Sequence, residues 1–347
     1  MNSTALDWSG MLDRLLAAES LGEDEACSVL GSIMKDEVDP VMIAALLIAL
    51  RAKGESAAEL AGFVRAMTGA AAPIDIDAAI AARLVDVVGT GGDGADTFNI
   101  STIAAVVVAA AGQPVAKHGN RSASSLCGSA DLIEGWGIDL ELPAAAITTC
   151  IEELGIGFLF ARSFHPAMKV VGPIRAQLGI RTTFNLLGPL SNPASAPFQA
   201  VGVADPLRAP VMAAALARLG RRALVFSGGD GLDELTTTTS SQAWEVADGQ
   251  VQETLIDPSE VGIARATPKD LSGGDVARNV EIADAILAGE PGPRADVVVL
   301  NAAAALYVAG AVEDLSAGVE LAREVLNQGA ALDLKQRWVA LARRLAG

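Results

Sequence analysis

One stretch, from Val87 to Asp131, constrains this chain more than any other. It opens as Val-Val-Gly-Thr-Gly-Gly-Asp-Gly, passes through Asp96-Thr-Phe-Asn-Ile-Ser-Thr and an apolar run, and continues as Lys117-His-Gly-Asn-Arg-Ser-Ala-Ser-Ser. Residues 84–88 are a short β-branched run that reads as a buried strand, and it empties into Gly89, Gly91, Gly92 and Gly94. Glycines allow positive φ and bring backbone amides close to a ligand with no Cβ in the way. Thr97, Asn99, Ser101 and Thr102 then precede an Ala/Val-rich segment, 103–111, that reads as a buried helix. The start of such a helix favours a phosphate through its unpaired N–H groups and its dipole. The second half repeats this logic. A strand at 114–116 opens into Lys117, His118, Gly119, Asn120 and Arg121, then Ser122-Ala123-Ser124-Ser125, ahead of another helix. One neutral glycine-rich turn and one cationic serine-rich turn suit a ligand with two separated phosphate groups.

Glycine turns alone are weak evidence. Gly89-Thr-Gly-Gly-Asp-Gly matches neither the dinucleotide fingerprint nor the P-loop, since no Gly-Lys-Ser/Thr follows. The bland alternative is a structural turn beside a solvated charge cluster. Lys, His and Arg within five residues of a Gly and Ser run weigh against it.

Charge sharpens the point. The chain carries 25 basic and 42 acidic residues in 347, a formal net charge of −17, which disfavours a nucleic-acid partner. A cationic turn on that background needs a local reason, and a phosphorylated small molecule supplies one. No eighteen-residue apolar run is free of charge, Gly or Pro, so no membrane span is expected. The first residues lack a basic stretch followed by an apolar one, which leads us to expect a cytoplasmic protein. Cys27, Cys127 and Cys150 are scattered and odd in number, and read as buried small apolar residues.

Residues 1–72 read as helices only. Trp8, Met11, Leu12, Leu15 and Leu16 fall at helical spacing, 23–34 and 40–50 follow, and Ser56 with Glu59 three residues on forms a capping box. The 42–50 segment is apolar on every face, so it lies either at the bundle centre or against a second subunit. Pro73-Ile-Asp-Ile-Asp reads as a linker, dividing a helical domain, 1–72, from an α/β domain, 73–347. Beyond it, strands at 84–88, 114–116, 157–160, 199–203 and 223–226 alternate with helices at 103–111, 143–154, 166–178 and 210–219. That alternation predicts a mainly parallel sheet flanked by helices, with ligands at the carboxyl ends of the strands. Segments 243–246 and 251–256 form a hairpin about Asp248-Gly249, and the tail is helical at 280–287, 295–309, 315–326 and 334–345.

Two further clusters carry chemistry. Gly228-Gly-Asp-Gly-Leu-Asp-Glu-Leu sets Asp230, Asp233 and Glu234 at a strand's end, as magnesium would want: a few hard oxygens, with room for water and phosphate. An acidic surface turn is the plain alternative. Arg175, late in a helix, either caps carbonyls or offers a planar fork to a carboxylate, and spacing alone favours the cap. His165 is a candidate too, although a lone His beside aromatics reads first as structural.

Gly89-Thr-Gly-Gly-Asp-Gly, Asn99-Ile-Ser-Thr, Lys117-His-Gly-Asn-Arg-Ser-Ala-Ser-Ser, His165-Pro-Ala-Met-Lys, Leu178-Gly-Ile-Arg-Thr with Phe184-Asn-Leu-Leu-Gly-Pro-Leu, and Gly231-Leu-Asp-Glu-Leu together resemble the anthranilate phosphoribosyltransferase family. Order and spacing match over nearly the whole chain. The resemblance implies a helical N-terminal domain at a homodimer interface and an α/β domain of the nucleoside phosphorylase and phosphoribosyltransferase type. It implies transfer of phosphoribose from phosphoribosyl diphosphate to anthranilate in tryptophan biosynthesis. By motif, Gly89, Gly92, Asp93, Thr97, Asn99, Ile100, Ser101, Thr102, Lys117 through Ser125, and Ser129 would hold phosphoribosyl diphosphate. Ser101, Asp233 and Glu234 would bind two magnesium ions. Gly89, Asn120 and Arg175 would contact anthranilate, Arg175 through its carboxylate, in place of the capping role. No residue is implied as acid or base; Lys117 and the metal ligands would stabilise charge. Two departures stand out: Leu126-Cys127 where the family usually has Lys-Ser, and Phe164 where a second His is common. A pyrimidine nucleoside phosphorylase would share the fold, but Asp233-Glu234 argues against it; a nucleic-acid-binding relative is disfavoured by the net charge.

Overall fold

The chain is described here from a computed structural model over residues 7–122 and 126–346, so Ala123, Ser124 and Ser125 lie outside the described residues. Its sheet comprises β1 (Val85–Gly89), β2 (Val115–Gly119), β3 (Ile156–Phe160), β4 (Phe198–Gly202), β5 (Arg222–Gly228), β6 (Ser241–Ala247) and β7 (Gln250–Ile256). The spatial order is β3-β2-β1-β4-β5-β6-β7; β1 to β5 are parallel, and the β6–β7 hairpin adds two antiparallel strands. After β3 the chain returns to the far side of β1 to lay down β4. Loops from β1 and β4 therefore leave in opposite directions, and the crevice at their carboxyl ends is where α/β sheets hold ligands.

Four helices come first, as the residue spacing predicts: α1 (Trp8–Leu16), α2 (Glu23–Met34), α3 (Pro40–Lys53) and α4 (Ala57–Gly69). The capping box forms, with Glu59 accepting from Ser56 N–H at 2.7 Å and Ser56 Oγ accepting from Glu59 N–H at 3.2 Å. Glu59 is fully buried and also takes Leu21 N–H and Lys53 Nζ, each at 2.9 Å, so both carboxylate oxygens have donors. Along α3, Ile43, Leu46, Leu47 and Leu50 pack into the bundle while Val41 and Ile48 face outward.

The remaining helices are α5 (Ala78–Ala81), α6 (Ile100–Ala110), α7 (Ser129–Gly135), α8 (Ala144–Leu154), α9 (Ala161–Phe164), α10 (Met168–Leu178), α11 (Phe184–Leu190), α12 (Ala209–Arg218), α13 (Val276–Leu287), α14 (Pro293–Val308), α15 (Leu315–Asn327) and α16 (Ala330–Ala346). They cover both faces of the sheet. On one, α6 lies under α14, α15 and α16, which explains why it is apolar all round. On the other, Val171, Phe184, Leu187 and Met212 join the core of the four-helix bundle, together with Val201 and Val225 of the sheet.

Two boundaries differ from expectation, and each moves a site residue. The helix expected from 103 begins at Ile100, because Glu234 accepts the N–H of Ser101 and stabilises an earlier first turn. The strand expected to end at Ala116 runs to Gly119, so Lys117 and His118 are buried strand residues rather than turn residues. The Phe184-Asn-Leu-Leu-Gly-Pro-Leu motif is helical as far as Leu190, with Pro189 inside.

Gly89 and Gly202 are paired neighbours at the carboxyl ends of β1 and β4. A Cβ on Gly202 would sit 1.7 Å from the carbonyl oxygen of Asp233, and one on Gly89 would sit 2.3 Å from its carboxylate. The 229–235 segment thus lies directly on two bare strand ends. Gly202→Ala is expected to lower the unfolding free energy by about 1–3 kcal/mol, since backbone cannot yield as a side chain can; a urea midpoint unchanged from the parent would contradict this contact.

Candidate functional site

The site begins with what those glycines permit. Gly91, Gly92 and Gly94 all adopt positive φ, at +68°, +76° and +70°, folding the chain back over β1. The turned amide of Gly91 donates to Asp233 Oδ2 at 2.6 Å, and the amide of Ser101, in the first turn of α6, donates to Glu234 Oε1 at 3.0 Å. Both donors were expected to face phosphate; here they grip carboxylate oxygens, which the same N–H groups and helix dipole favour. The acidic doublet, the glycine turn and the start of α6 are therefore one unit. Asn301 of α14 secures the doublet from behind: it accepts from Leu235 N–H at 3.0 Å and donates to Leu235 O at 2.8 Å.

Lys117 enters from β2. Its Nζ donates to Val87 O at 2.5 Å and lies 3.5 Å from Ser101 Oγ, so it reaches the start of α6 from the neighbouring strand. Burial lowers its pKa, opposed by the charges of Asp86, Glu234 and Asp233. The two acids shift the other way. Burial and the nearby Asp93 push Asp233 up to about 7, and burial and Asp233 push Glu234 up to about 8, with Lys117 opposing. Carboxylates so arranged lack counter-charge, which a divalent cation supplies. Among the described residues no three His, Cys, Asp or Glu side chains form a metal cage. Two carboxylates beside a serine hydroxyl instead suit magnesium, which keeps water and phosphate oxygens in its coordination sphere. Asp230 takes no part, because its Oδ2 accepts from Thr236 Oγ1 at 2.8 Å and from Thr238 Oγ1.

The cationic turn is less open than its sequence suggests. Arg121 directs its guanidinium to Asp131, at 2.5 Å, and to Glu134, at 2.9 and 3.0 Å, so this side chain is engaged by α7. His118 points to α11, with Nδ1 3.0 Å from Gly188 O and its ring 5.3 Å from that of His165. Burial lowers its pKa to about 3, so it is a neutral imidazole. His165 is fixed by Ser191 O at 3.0 Å. Ser129 Oγ closes the turn, accepting from Asn120 N–H at 3.2 Å and donating to Asn120 O at 3.1 Å. Asn120 Oδ1 accepts the following amide, that of Arg121, at 2.8 Å. Gly119 is required here, as a Cβ would lie 2.4 Å from Ser129 Oγ.

The other expected residues divide between ligand-facing and supporting positions. Ile100 and Thr102 are buried, and Thr102 Oγ1 has no partner. Asn99 donates from Nδ2 to Cys127 O at 3.0 Å and accepts from Asn279 Nδ2 at 3.0 Å, tying the start of α6 to the loop before α7 and to α13. Thr97 pairs with Ser272 in an isolated bridge. Asp93 Oδ1 accepts from Ala95 N–H at 3.2 Å, within the glycine turn. Arg175 does not cap its helix; its guanidinium lies over the Phe184 ring, 5.5 Å from the centroid, with Nη2 3.4 Å from Asn185 Oδ1. Burial lowers its pKa and Nε has no partner, so it retains a donor that a carboxylate could take.

Two supporting groups escaped the sequence reading. Arg181 holds Gly92 O at 3.0 Å and Gly91 O at 3.1 Å, bracing the glycine turn. Asp86, fully buried in β1, accepts from His118 N–H at 3.0 Å and from Asn192 Nδ2 at 2.8 Å, which sets the height of β2. A carboxylate inside an otherwise apolar strand was the signal for it.

The comparisons with known proteins agree with this geometry. Residues 10–71 match the helical bundle domain of a glycosyl transferase family and residues 81–332 match its α/β domain. An anthranilate phosphoribosyltransferase from Nocardioides sp. is 51% identical over 97% of this chain and 99% of its own length, and one from Solibacter usitatus is 50% identical over 92% and 94%. The crystal structure of the Thermus thermophilus enzyme superposes with a TM-score of 0.91 at 48% identity, covering 97% of this chain and 100% of that one. Identity and coverage this high leave one reading, that the chain belongs to the anthranilate phosphoribosyltransferase family.

Proposed function

We propose that the chain transfers the phosphoribosyl group of phosphoribosyl diphosphate to the amine of anthranilate, releasing diphosphate, in tryptophan biosynthesis. One observation carries this: the glycine turn, the start of α6, Lys117 and the Asp233-Glu234 doublet converge on the end of β1 through consecutive hydrogen bonds. The Saccharomyces cerevisiae relative, 25% identical with a TM-score of 0.87, is solved in complex with phosphoribosyl diphosphate and magnesium. Another structure of it holds 4-fluoroanthranilate.

In this reading Gly89, Gly92, Asp93, Thr97 and the 99–102 run surround the diphosphate end, and the 117–125 turn with Ser129 takes the ribose phosphate. Ser101, Asp233 and Glu234 hold two magnesium ions, which supply charge neutralisation for the leaving diphosphate. Asn120 and Arg175 orient anthranilate beside Gly89. Breaking the C1–O bond builds oxocarbenium character on the ribose and negative charge on the departing oxygen, and Lys117 lies where that charge is met. The amine nitrogen then bonds to C1 and sheds its proton to water or to diphosphate. Aromatic amines are neutral at pH 7, so the chain need only position the reactants and stabilise charge.

The outer features follow from the same reading. Residues 1–72 and 73–347 act as two domains, and two copies pair through the exposed apolar Leu16, Val41 and Ile48 on α1 and α3. Three free thiols suit a reducing cytoplasm. No described helix is long and apolar enough to cross a membrane.

Replacing both Asp233 and Glu234 by Ala should reduce kcat/KM for phosphoribosyl transfer by at least about 10³-fold. Near-normal loss of anthranilate fluorescence with that variant would end the metal assignment. Arg175→Ala should raise the anthranilate KM by about 10–100-fold, with the phosphoribosyl diphosphate KM within about threefold of the parent. pH gives a third check. The folded-state pKa values of the doublet lie above those of free carboxyls, so the folded chain favours their protonated forms; that stabilisation is greatest in acid and is lost as pH rises through about 7 to 8. Magnesium competes with those protons, so its thermal stabilisation should be larger at pH 8.5 than at pH 6. Equal shifts at the two pH values would contradict it.

A further inference from the structure

A small polar cleft borders the glycine turn at Thr90, between the end of α3, the β4–α12 loop and the segment before α11. It holds about 70 Å³ of free volume, and Arg51, Arg181 and Arg208 all line it. Three arginines at one cleft are unusual in a chain of net charge −17. Its two acids are already satisfied. Glu55 accepts from Thr183 Oγ1 at 2.7 Å and from Arg208 Nη1 at 3.1 Å; Asp205 accepts from Leu207 N–H at 3.1 Å and lies 3.8 Å from Arg208 Nε. Arg51 has neither a hydrogen-bond nor an ion-pair partner among the described residues. Thr182 is 3% exposed and its Oγ1 has no partner, an arrangement that costs free energy unless something fills it.

We infer that this cleft is a binding site for a small oxyanion of phosphate size, held by Arg51 and Arg181 and by the hydroxyl of Thr182. The volume admits such a group, and a lining with three guanidinium groups and no aromatic side chain suits it better than a nucleotide base or an aromatic ring. Occupancy is communicated in two directions. Arg181 also holds the carbonyls of Gly91 and Gly92, so an anion that draws its guanidinium toward the cleft alters the brace on the glycine turn. Asn185, another lining residue, shares its Oδ1 between Thr182 N–H at 2.9 Å and Arg175 at 3.4 Å, linking the cleft to the residue assigned to anthranilate. The site rests on the cleft alone; its coupling to turnover rests also on the function proposed above.

The test is calorimetric titration of inorganic phosphate into the intact protein at constant ionic strength, with the catalytic site saturated by diphosphate and magnesium. The parent should bind one further phosphate. Arg51→Ala should weaken that event at least tenfold, Thr182→Val should weaken it severalfold, and Arg83→Ala, at a distant exposed arginine, should leave it unchanged. Thermal unfolding establishes that each variant is folded, and Arg51→Lys should restore part of the affinity. Absence of the extra event in the parent, or equal affinity in Arg51→Ala, overturns the site. In steady state, phosphate should change the KM for phosphoribosyl diphosphate more in the parent than in Arg51→Ala; identical inhibition in both would place the whole effect at the catalytic site and overturn the coupling. The calorimetric arm needs no turnover, so it stands or falls apart from the assigned reaction.

Discussion

Everything at the catalytic end depends on how closely one loop can approach two strands. The backbone of Asp233 rests on Gly202, and its carboxylate rests against Gly89. That approach lets a turned amide and the first turn of a helix seize two adjacent acids. Like charges in a partly dry place are costly, and the N–H groups of the glycine turn and of α6 offset part of that cost. In the proposed reading, what remains uncompensated would drive the uptake of a cation and, through it, a polyphosphate.

The sequence revealed those parts whose chemistry is local. A β-branched run ending in four glycines implies a buried strand and a tight turn, and the acidic pair after the strand at 223–226 is the cluster from which a hard-metal site was expected. Parallel alternation then predicts that both lie at the same edge of the sheet. Features set by distant partners were hidden. Arg121 looks like an unpaired cation until Asp131 and Glu134 are found on the helix beside it. Lys117 looks like a turn residue until its pairing with Phe158 shows it to be in the ladder. Arg181 offered no local sign of its task, since the carbonyls it holds lie about ninety residues earlier in the chain.

Arg175 shows how context overrides position. Near the end of a helix a basic residue ordinarily serves the helix dipole. Here Phe184 and Asn185 turn the guanidinium aside, and partial burial leaves one donor without a partner. A group kept incompletely satisfied is available to a ligand; in the proposed role it would favour an acid, because a neutral molecule would leave it desolvated and unpaired.

Asn301 has a consequence for biosynthesis of the molecule itself. It pins the acidic doublet through both backbone groups of Leu235, from a position 66 residues further along the chain. A nascent chain still threaded through the ribosome can complete β5 and the glycine turn long before α14 has emerged, so the ligands exist before the frame that aligns them. The frame around the doublet is therefore complete only once α14 has packed in place, so its alignment depends on nearly the whole chain.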